Sequence, residues 1–350
     1  MSNALLYFGA NELQLAALRF AREAGLEVVV VDEDPHSSGR RYADRFETLT
    51  STDLDPVAHV ARSLGRRLVG VSPSSDAWLA AATVAQEVAG LPGRSRATAE
   101  ILADRHRTLA LWRERGIPVA QDEHASPGTR TFSVEGFFHD EVYVPGGAGE
   151  RFDVSAANPA GIRGSIPAEI GAVLESLHGP ESLYEIVEQG ARALGIAAGP
   201  VCARVRHTPQ GPELLALSPR FDCGPFTAHA TAFAYGKSPL QAWFAALAGA
   251  GGPFDVMPDR PERSAGWLAL PATREGVLIG IEGADRARAL PGCERILRLL
   301  PLGTKLRVTD DERGWVALAF ASGKDAREVE ERLARIRSRL EVKVECRSVA

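Results

Sequence analysis

The sequence has little of what staples, anchors or charges a chain. Only four of its 350 residues are cysteine, Cys202, Cys223, Cys293 and Cys346. None forms a CxxC pair, so neither a zinc knuckle nor a disulfide framework is expected. The histidines show no paired metal-ligand spacing, and no metal site is expected from them. No stretch of 18 apolar residues exists to cross a membrane, and the opening MSNALLYFG has no basic leader for export. Net charge is -5 and dispersed, which gives no electrostatic reason to bind nucleic acid or an anionic membrane. What remains is 45% hydrophobic content over 350 residues, enough core for two or three domains. The expectation is a soluble, cytoplasmic protein.

The first third alternates strand and helix. Ala4 to Phe8 is a short apolar strand, and Gly9 turns the chain. Asn11 is placed to cap a helix, with Gln14 completing a capping box. That helix runs to about Ala24 and stops at Gly25. Val28 to Val31 is a β-branched run suited to a strand buried on both faces. Asp55 and Pro56 start a second helix, and Leu68 to Val71 is a third strand. The turn Ser72-Pro73-Ser74-Ser75-Asp76 opens a third helix, which ends near Gly90. This βαβαβα order predicts a parallel sheet with right-handed crossovers. Ser95 and Asp104 each cap a further helix, the second ending at Gly116-Ile117-Pro118.

A dinucleotide site fits this pattern poorly. The first turn reads Gly9-Ala10-Asn11-Glu12-Leu13-Gln14, without the glycines that let pyrophosphate approach the backbone. Glu12 would also put negative charge at the phosphate position. Asp32, at the end of the second strand, reads as a solvated strand end rather than a ribose ligand.

Farther on, Val201 to His207 and Glu213 to Leu217 flank Thr208-Pro209-Gln210-Gly211, a hairpin signal. Alternation puts Arg204 and Arg206 on one strand face, and Arg220 follows the partner strand. Three guanidiniums brought together need an anion or acidic partners. Two readings stay open: a carboxylate or phosphate site, or a solvated face of Arg–Glu pairs with Glu135 or Glu213. Asp222, Cys223 and His229 form a second constellation, either a nucleophile with its base or an inert buried cysteine. After Ala248-Gly249-Ala250-Gly251-Gly252-Pro253 comes a small α+β unit. In it Gly266 to Leu270, Val277 to Ile281 and Leu340 to Cys346 are strands, and Asp325 to Leu340 is an amphipathic helix.

Four passages carry a family resemblance: GLPGRSRATAEILADRHRTLALWRERGIPVA, TFSVEGFFHDEVYV, GPVCARVRHTPQGPELLALSPRFDCG, and the segment from about Gly266 to Val344. In this order they resemble an ATP-grasp protein of the amino-acid (dipeptide) ligase, or carboxylate–amine ligase, type. The resemblance implies an α/β and α+β chain in three domains. These are a parallel α/β pre-ATP-grasp domain at 1–118, a truncated ATP-grasp core with an antiparallel sheet at 119–250, and an α+β C-terminal domain at 264–350. Members of this family hold ATP between two sheets and phosphorylate a carboxylate that an amine then attacks.

The same resemblance exposes departures. Only the dozen residues Val119 to Arg130 stand where the family has a long lid, and they contain no lysine, so the lid is expected to be deleted. The family holds metal with Glu and Asn where this chain has Ala216 and Ser218, and with an acid where it has Arg204. Magnesium needs hard oxygen ligands, so no metal is expected, and ATP and magnesium are both doubtful as cofactors. Arg220 and Glu135 keep family positions, and Arg105 stands where many members have a phosphate-contacting lysine.

The leading expectation is therefore a protein that binds a small anionic amino-acid or peptide-like metabolite without normal Mg-ATP chemistry. Arg220, Arg204, Arg206 and Glu135 would hold the ligand, Arg105 a cofactor, and Cys223 and His229 are the catalytic candidates. Such a protein would be a retooled enzyme of specialised metabolism. The alternatives are a pseudoenzyme partner of an active ligase, as a homodimer or with that ligase, and a still-active carboxylate–amine ligase.

Overall fold

The structure is a computed structural model that describes residues 2–120, 129–151, 162–166, 179–222, 224–250, 257–258, 260–309 and 314–345. The chain divides into two compact units. The first holds residues 1–149, 170–228 and 237–259, and the second holds 150–169, 229–236 and 260–350.

Unit one begins with the expected α/β order. Strands β1 (Ala4–Phe8), β2 (Glu27–Asp32), β3 (Arg45–Thr48) and β4 (Leu68–Pro73) form a parallel sheet in the order β3-β2-β1-β4. Helices α1 (Leu15–Glu23), α2 (Leu54–Leu64) and α3 (Leu79–Ala89) connect and cover the strands. Odd residues of β1, such as Leu5 and Tyr7, pack into one apolar cluster with α1. Even ones, such as Leu6 and Phe8, pack into another with α2 and α3. That two-sided burial is why these strands are continuously apolar.

Three local expectations are corrected. Asn11 does cap, accepting from the Leu13 amide at 3.0 Å, but it opens a short 3-10 turn, Glu12–Gln14. No capping box forms, and Gln14 is buried instead. Asp32 is no solvated end. It is buried and accepts the Ala10 amide at 2.5 Å and the Asp34 amide at 2.8 Å, tying the first turn to β2. Helix α2 begins at Leu54, after Asp53, rather than at Asp55. Strand β3 was not foreseen, because Arg-Phe-Glu-Thr is only half-buried at the sheet edge and carries a weak apolar signal.

Helices α4 (Arg96–Leu102) and α5 (Arg105–Glu114) follow, capped by Ser95 and Asp104 as their side chains suggest. A second sheet in this unit runs β6-β5-β8-β9. It comprises β5 (Arg130–His139), β6 (Val142–Arg151), β8 (Gly199–Thr208) and β9 (Gly211–Ser218). Helix α6 (Gly179–Ala193) and helix α8 (Pro239–Ala248) complete the unit. Val134, Ala203, Val205, Leu214 and Leu217 turn one face of this sheet onto Trp112 of α5 and Leu183 and Val187 of α6.

The connector that the lid deletion concerns runs through 121–128, which lie outside the described residues. Its ends are fixed on neighbouring strands. The Ala120 amide donates to the Leu214 carbonyl at 3.0 Å, and Arg130 pairs with His207. Nine residues separate these anchors.

Unit two contains β7 (Ile162–Ile166), α7 (Thr231–Tyr235), β10 (Ser264–Pro271), β12 (Cys293–Arg298) and β14 (Trp315–Gly323). The strands pair in the order β12-β14-β10-β7. A smaller sheet, β13-β11-β15, uses β11 (Gly276–Glu282), β13 (Lys305–Leu306) and β15 (Glu341–Glu345). Helix α9 (Ala284–Arg288) precedes β12, and helix α10 (Ala326–Arg337) buries Val329, Leu333 and Ile336 against β10 and β14. The amphipathic helix was legible in sequence. β14 was not, because its nine residues are all buried and show no alternation. Among the described residues no helix is long and apolar enough to cross a membrane.

Candidate functional site

The second face of the β5–β8–β9 sheet is polar, and the register sets its composition. Glu135 of β5 pairs with Cys202 of β8, which pairs with Ser218 of β9. One step along the same face, Arg204 stands between Ser133 and Ala216. An irregularity between Arg204 and Val205 shifts the register, and Arg206 then stands across from Glu213.

The charge centre of this face is Arg220, just past the end of β9. Its Nε donates to Asp76 Oδ1 at 2.7 Å, and Nη1 donates to the Phe221 carbonyl at 3.0 Å. Asp222 Oδ1 stands 3.9 Å from the same Nη1. Ser218 Oγ donates to the same Asp76 oxygen at 2.6 Å. Burial pushes the Asp76 pKa up, but the Arg220 hydrogen bond and charge and the Ser218 hydroxyl outweigh it. The carboxyl ends below its usual range. The Arg220 side chain is only 14% exposed, while that of Asp76 is 64% exposed. The pair therefore has one partner in the protein and one at the water.

Arg94 supports this corner from behind. It donates Nε to Thr83 Oγ1 at 3.0 Å and Nη1 to the Pro219 carbonyl at 2.8 Å. Desolvation lowers its pKa to about 10, and it pairs with no carboxylate among the described residues. Its bond fixes the carbonyl between Ser218 and Arg220.

Glu135 lies deeper and is fully buried. Oε1 accepts from Thr227 Oγ1 at 2.7 Å and from the Asp222 amide at 3.3 Å. Oε2 has no hydrogen-bond partner among the described residues. Desolvation first, and the Asp222 charge second, hold its pKa well above the carboxylate range. Burial therefore favours the protonated form of this carboxyl over the ionised one. Burial also raises the Cys202 thiol well above its ordinary value, so this sulfur is not a thiolate nucleophile at neutral pH.

The sequence candidates are thus partly assembled. Glu135, Arg204 and Arg220 share one face. The three-arginine cluster does not form as expected. Arg206 is four positions from Cys202, roughly 13 Å at ~3.3 Å per residue, and Arg220 lies beyond the Cys202–Ser218 pair. The partners of Arg220 are acids, not fellow cations. Arg105 begins α5, whose Leu109 and Trp112 pack on the opposite, apolar face. Cys223 lies outside the described residues. His229 belongs to unit two, where Nδ1 is 3.2 Å from Arg295 Nη1 and the ring packs 4.9 Å from Phe320. A guanidinium can only donate, so Nδ1 accepts and is committed to that bond. Asp76 was missed as a site residue. In sequence it reads as part of a helix-opening turn, 142 positions from Ser218.

The family chemistry asks for magnesium held by carboxylate oxygens. This face does not fit it. Ala216 offers no ligand, the Ser218 hydroxyl is given to Asp76, and Arg220 already neutralises the nearest carboxylate. Among the described residues no group of three or more His, Cys, Asp or Glu is placed to hold a metal ion.

Comparison with known proteins agrees with this architecture. Residues 268–345 match the family described as L-amino acid ligase C-terminal domain 2. The L-amino acid ligase of Bacillus licheniformis is 16% identical, with TM-score 0.78 over 99% of this chain and 100% of that one. The phosphoribosylglycinamide synthetase of Anaerococcus prevotii is 12% identical, with TM-score 0.77 over 98% and 100%. The N5-carboxyaminoimidazole ribonucleotide synthetase of Thermotoga maritima is 15% identical, with TM-score 0.73 over 99% and 100%. No curated protein sequence matches the chain. The chain has the ATP-grasp fold, and its residues 268–345 match the L-amino acid ligase C-terminal domain 2.

Proposed function

We propose that the protein binds a small anionic amino-acid or peptide-like metabolite on the polar face of β5, β8 and β9, without the usual Mg-ATP chemistry. The observation that supports this most is the Asp76 carboxylate, which accepts from both Arg220 Nε and Ser218 Oγ. It puts a fixed guanidinium, rather than an open set of carboxylate oxygens, at the end of β9. Half-buried Arg204 adds a second positive charge on the same face, suited to a ligand carboxylate. Glu135, buried at the same face, is shifted toward its protonated form.

A second reading is an active carboxylate–amine ligase. The C-terminal match and the whole-chain likeness to an L-amino acid ligase favour it. Calorimetry separates the two. On the first reading, Mg-ATP gives no binding tighter than about 1 mM, or ~4 kcal/mol. Micromolar, magnesium-dependent ATP binding would sink that reading and favour the ligase. A thermal-shift screen of amino acids and dipeptides on wild type and Arg204→Ala completes the test. A ligand shift lost in the variant supports the metabolite reading, and no shift with any ligand favours a non-catalytic partner subunit.

A further inference from the structure

Unit one holds a half-open cavity of ≈ 270 Å³, with His139 and the exposed Asp140 at its lining. Its walls are Val69 and Val71 of β4, Leu91, Phe138 of β5, and Trp243 and Leu247 of α8. None of these residues bonds to Asp76, Arg220 or Glu135. Two glycines shape the space. A Cβ on Gly70 would stand 2.5 Å from Leu247 Cδ1, and one on Gly93 would stand 2.5 Å from Gln86 Nε2. The first lets α8 close over the edge strand of the parallel sheet. The second lets the Gln86 amide pack against the backbone beside the cavity.

Asp140 is exposed and His139 half-buried, whereas Gln86 is the buried polar side chain of the lining. It lines the cavity and is 6% exposed. Its Oε1 is buried with no hydrogen-bond partner among the described residues. A buried amide oxygen without a donor is destabilising, and a guest that brings a donor removes that penalty. Apolar cavities of ~150 Å³ already accept benzene-sized guests, so this volume suits a fused bicyclic ring or a branched alkyl of similar bulk.

We propose that this cavity binds a small, mostly apolar molecule of about the size of indole, anchored by one hydrogen-bond donor to Gln86. The site is separate from the polar face, and the proposal does not depend on how that face is used. The two places are nevertheless neighbours. The Trp243 ring meets the Phe221 ring edge-on at 5.8 Å, and Phe221 is flanked by Arg220 and Asp222. Trp243 therefore reports on the guest directly.

The probe is indole, with indene as its partner of the same shape without the N–H. Ligand-observed NMR and calorimetry on the full chain should give saturable indole binding tighter than about 1 mM. Indene should bind about fivefold or more weakly, and Gln86→Leu should remove that difference. Filling the cavity with Ala198→Leu or with Ala246→Phe should abolish binding. Ala198 is half-buried, so its variant keeps the test alive if Ala246→Phe does not fold. No saturable binding up to the solubility of indole overturns the site. Binding unchanged in a folded, filled variant overturns its location. Equal affinity for indole and indene in wild type overturns the role of Gln86.

Discussion

The two faces of the β5–β8–β9 sheet arise from one alternation and reach opposite solutions to burial. On one side Val134, Ala203, Val205 and Leu217 meet Trp112, which is fully buried and spends its indole N–H on the Gly190 carbonyl at 3.0 Å. The groups there are apolar apart from the Trp112 N–H and the Tyr143 hydroxyl, which is buried without a hydrogen-bond partner among the described residues. On the other side Glu135, Cys202 and Ser218 stand in one row, with a buried acid shifted toward its protonated form and an arginine paired with carboxylates. The apolar face is stabilised by area removed from water. The polar face holds together only while each charge keeps its partner. Stability lives on the first face, and chemistry has room only on the second.

The sharpest way to break this comparison is through the apolar face. Trp112→Ala removes the largest side chain there and its one hydrogen bond, and should lower stability by roughly 3–5 kcal/mol. Urea denaturation measures it. A loss under about 1 kcal/mol would mean that the face is not a close-packed core.

The polar face should lose less. Arg220→Ala leaves Asp76 and Asp222 without their shared cation, and should cost roughly 1–2 kcal/mol. This is below the ~3–5 kcal/mol of a fully buried pair, because Asp76 faces water and is screened. In a double-mutant cycle with Asp76→Asn most of that loss should be shared between the two substitutions. Strict additivity would show that the 2.7 Å contact contributes nothing to stability.

The smallest effect is a change of slope with pH. The folded-state pKa of Glu135 is raised, so above the ordinary carboxylate range the native state holds a proton that the unfolded chain releases. Wild-type stability should therefore fall as pH rises from that range through the raised value. Glu135→Gln removes this dependence. The variant should gain on wild type at neutral and higher pH, by a few degrees in Tm, and lose the advantage near pH 4.5. Parallel melting curves across pH would mean that Glu135 ionises freely in the fold.

The sequence revealed much of this sheet. Thr208-Pro209-Gln210-Gly211 marked the hairpin, alternation put Arg204 with Arg206, and Glu135 stood out in its strand. It did not reveal the irregularity after Arg204, because a one-residue shift leaves no compositional trace. Nor did it reveal Asp76 as a partner of Arg220. Their contact spans 144 positions, and no local pattern encodes a pairing at that range.

Alternation, caps and β-branched runs determined the parallel α/β opening, the β8–β9 hairpin and the amphipathic α10, because each is a preference of neighbours along the chain. Only the tertiary structure decided what those elements do for one another. It set Asp32 under the Ala10 amide, turned Arg220 toward two acids rather than two arginines, and buried Glu135 so that its pKa rises. Burial and charge pairing depend on which groups arrive from elsewhere in the chain, and the desolvation they impose is a property of the packed interior.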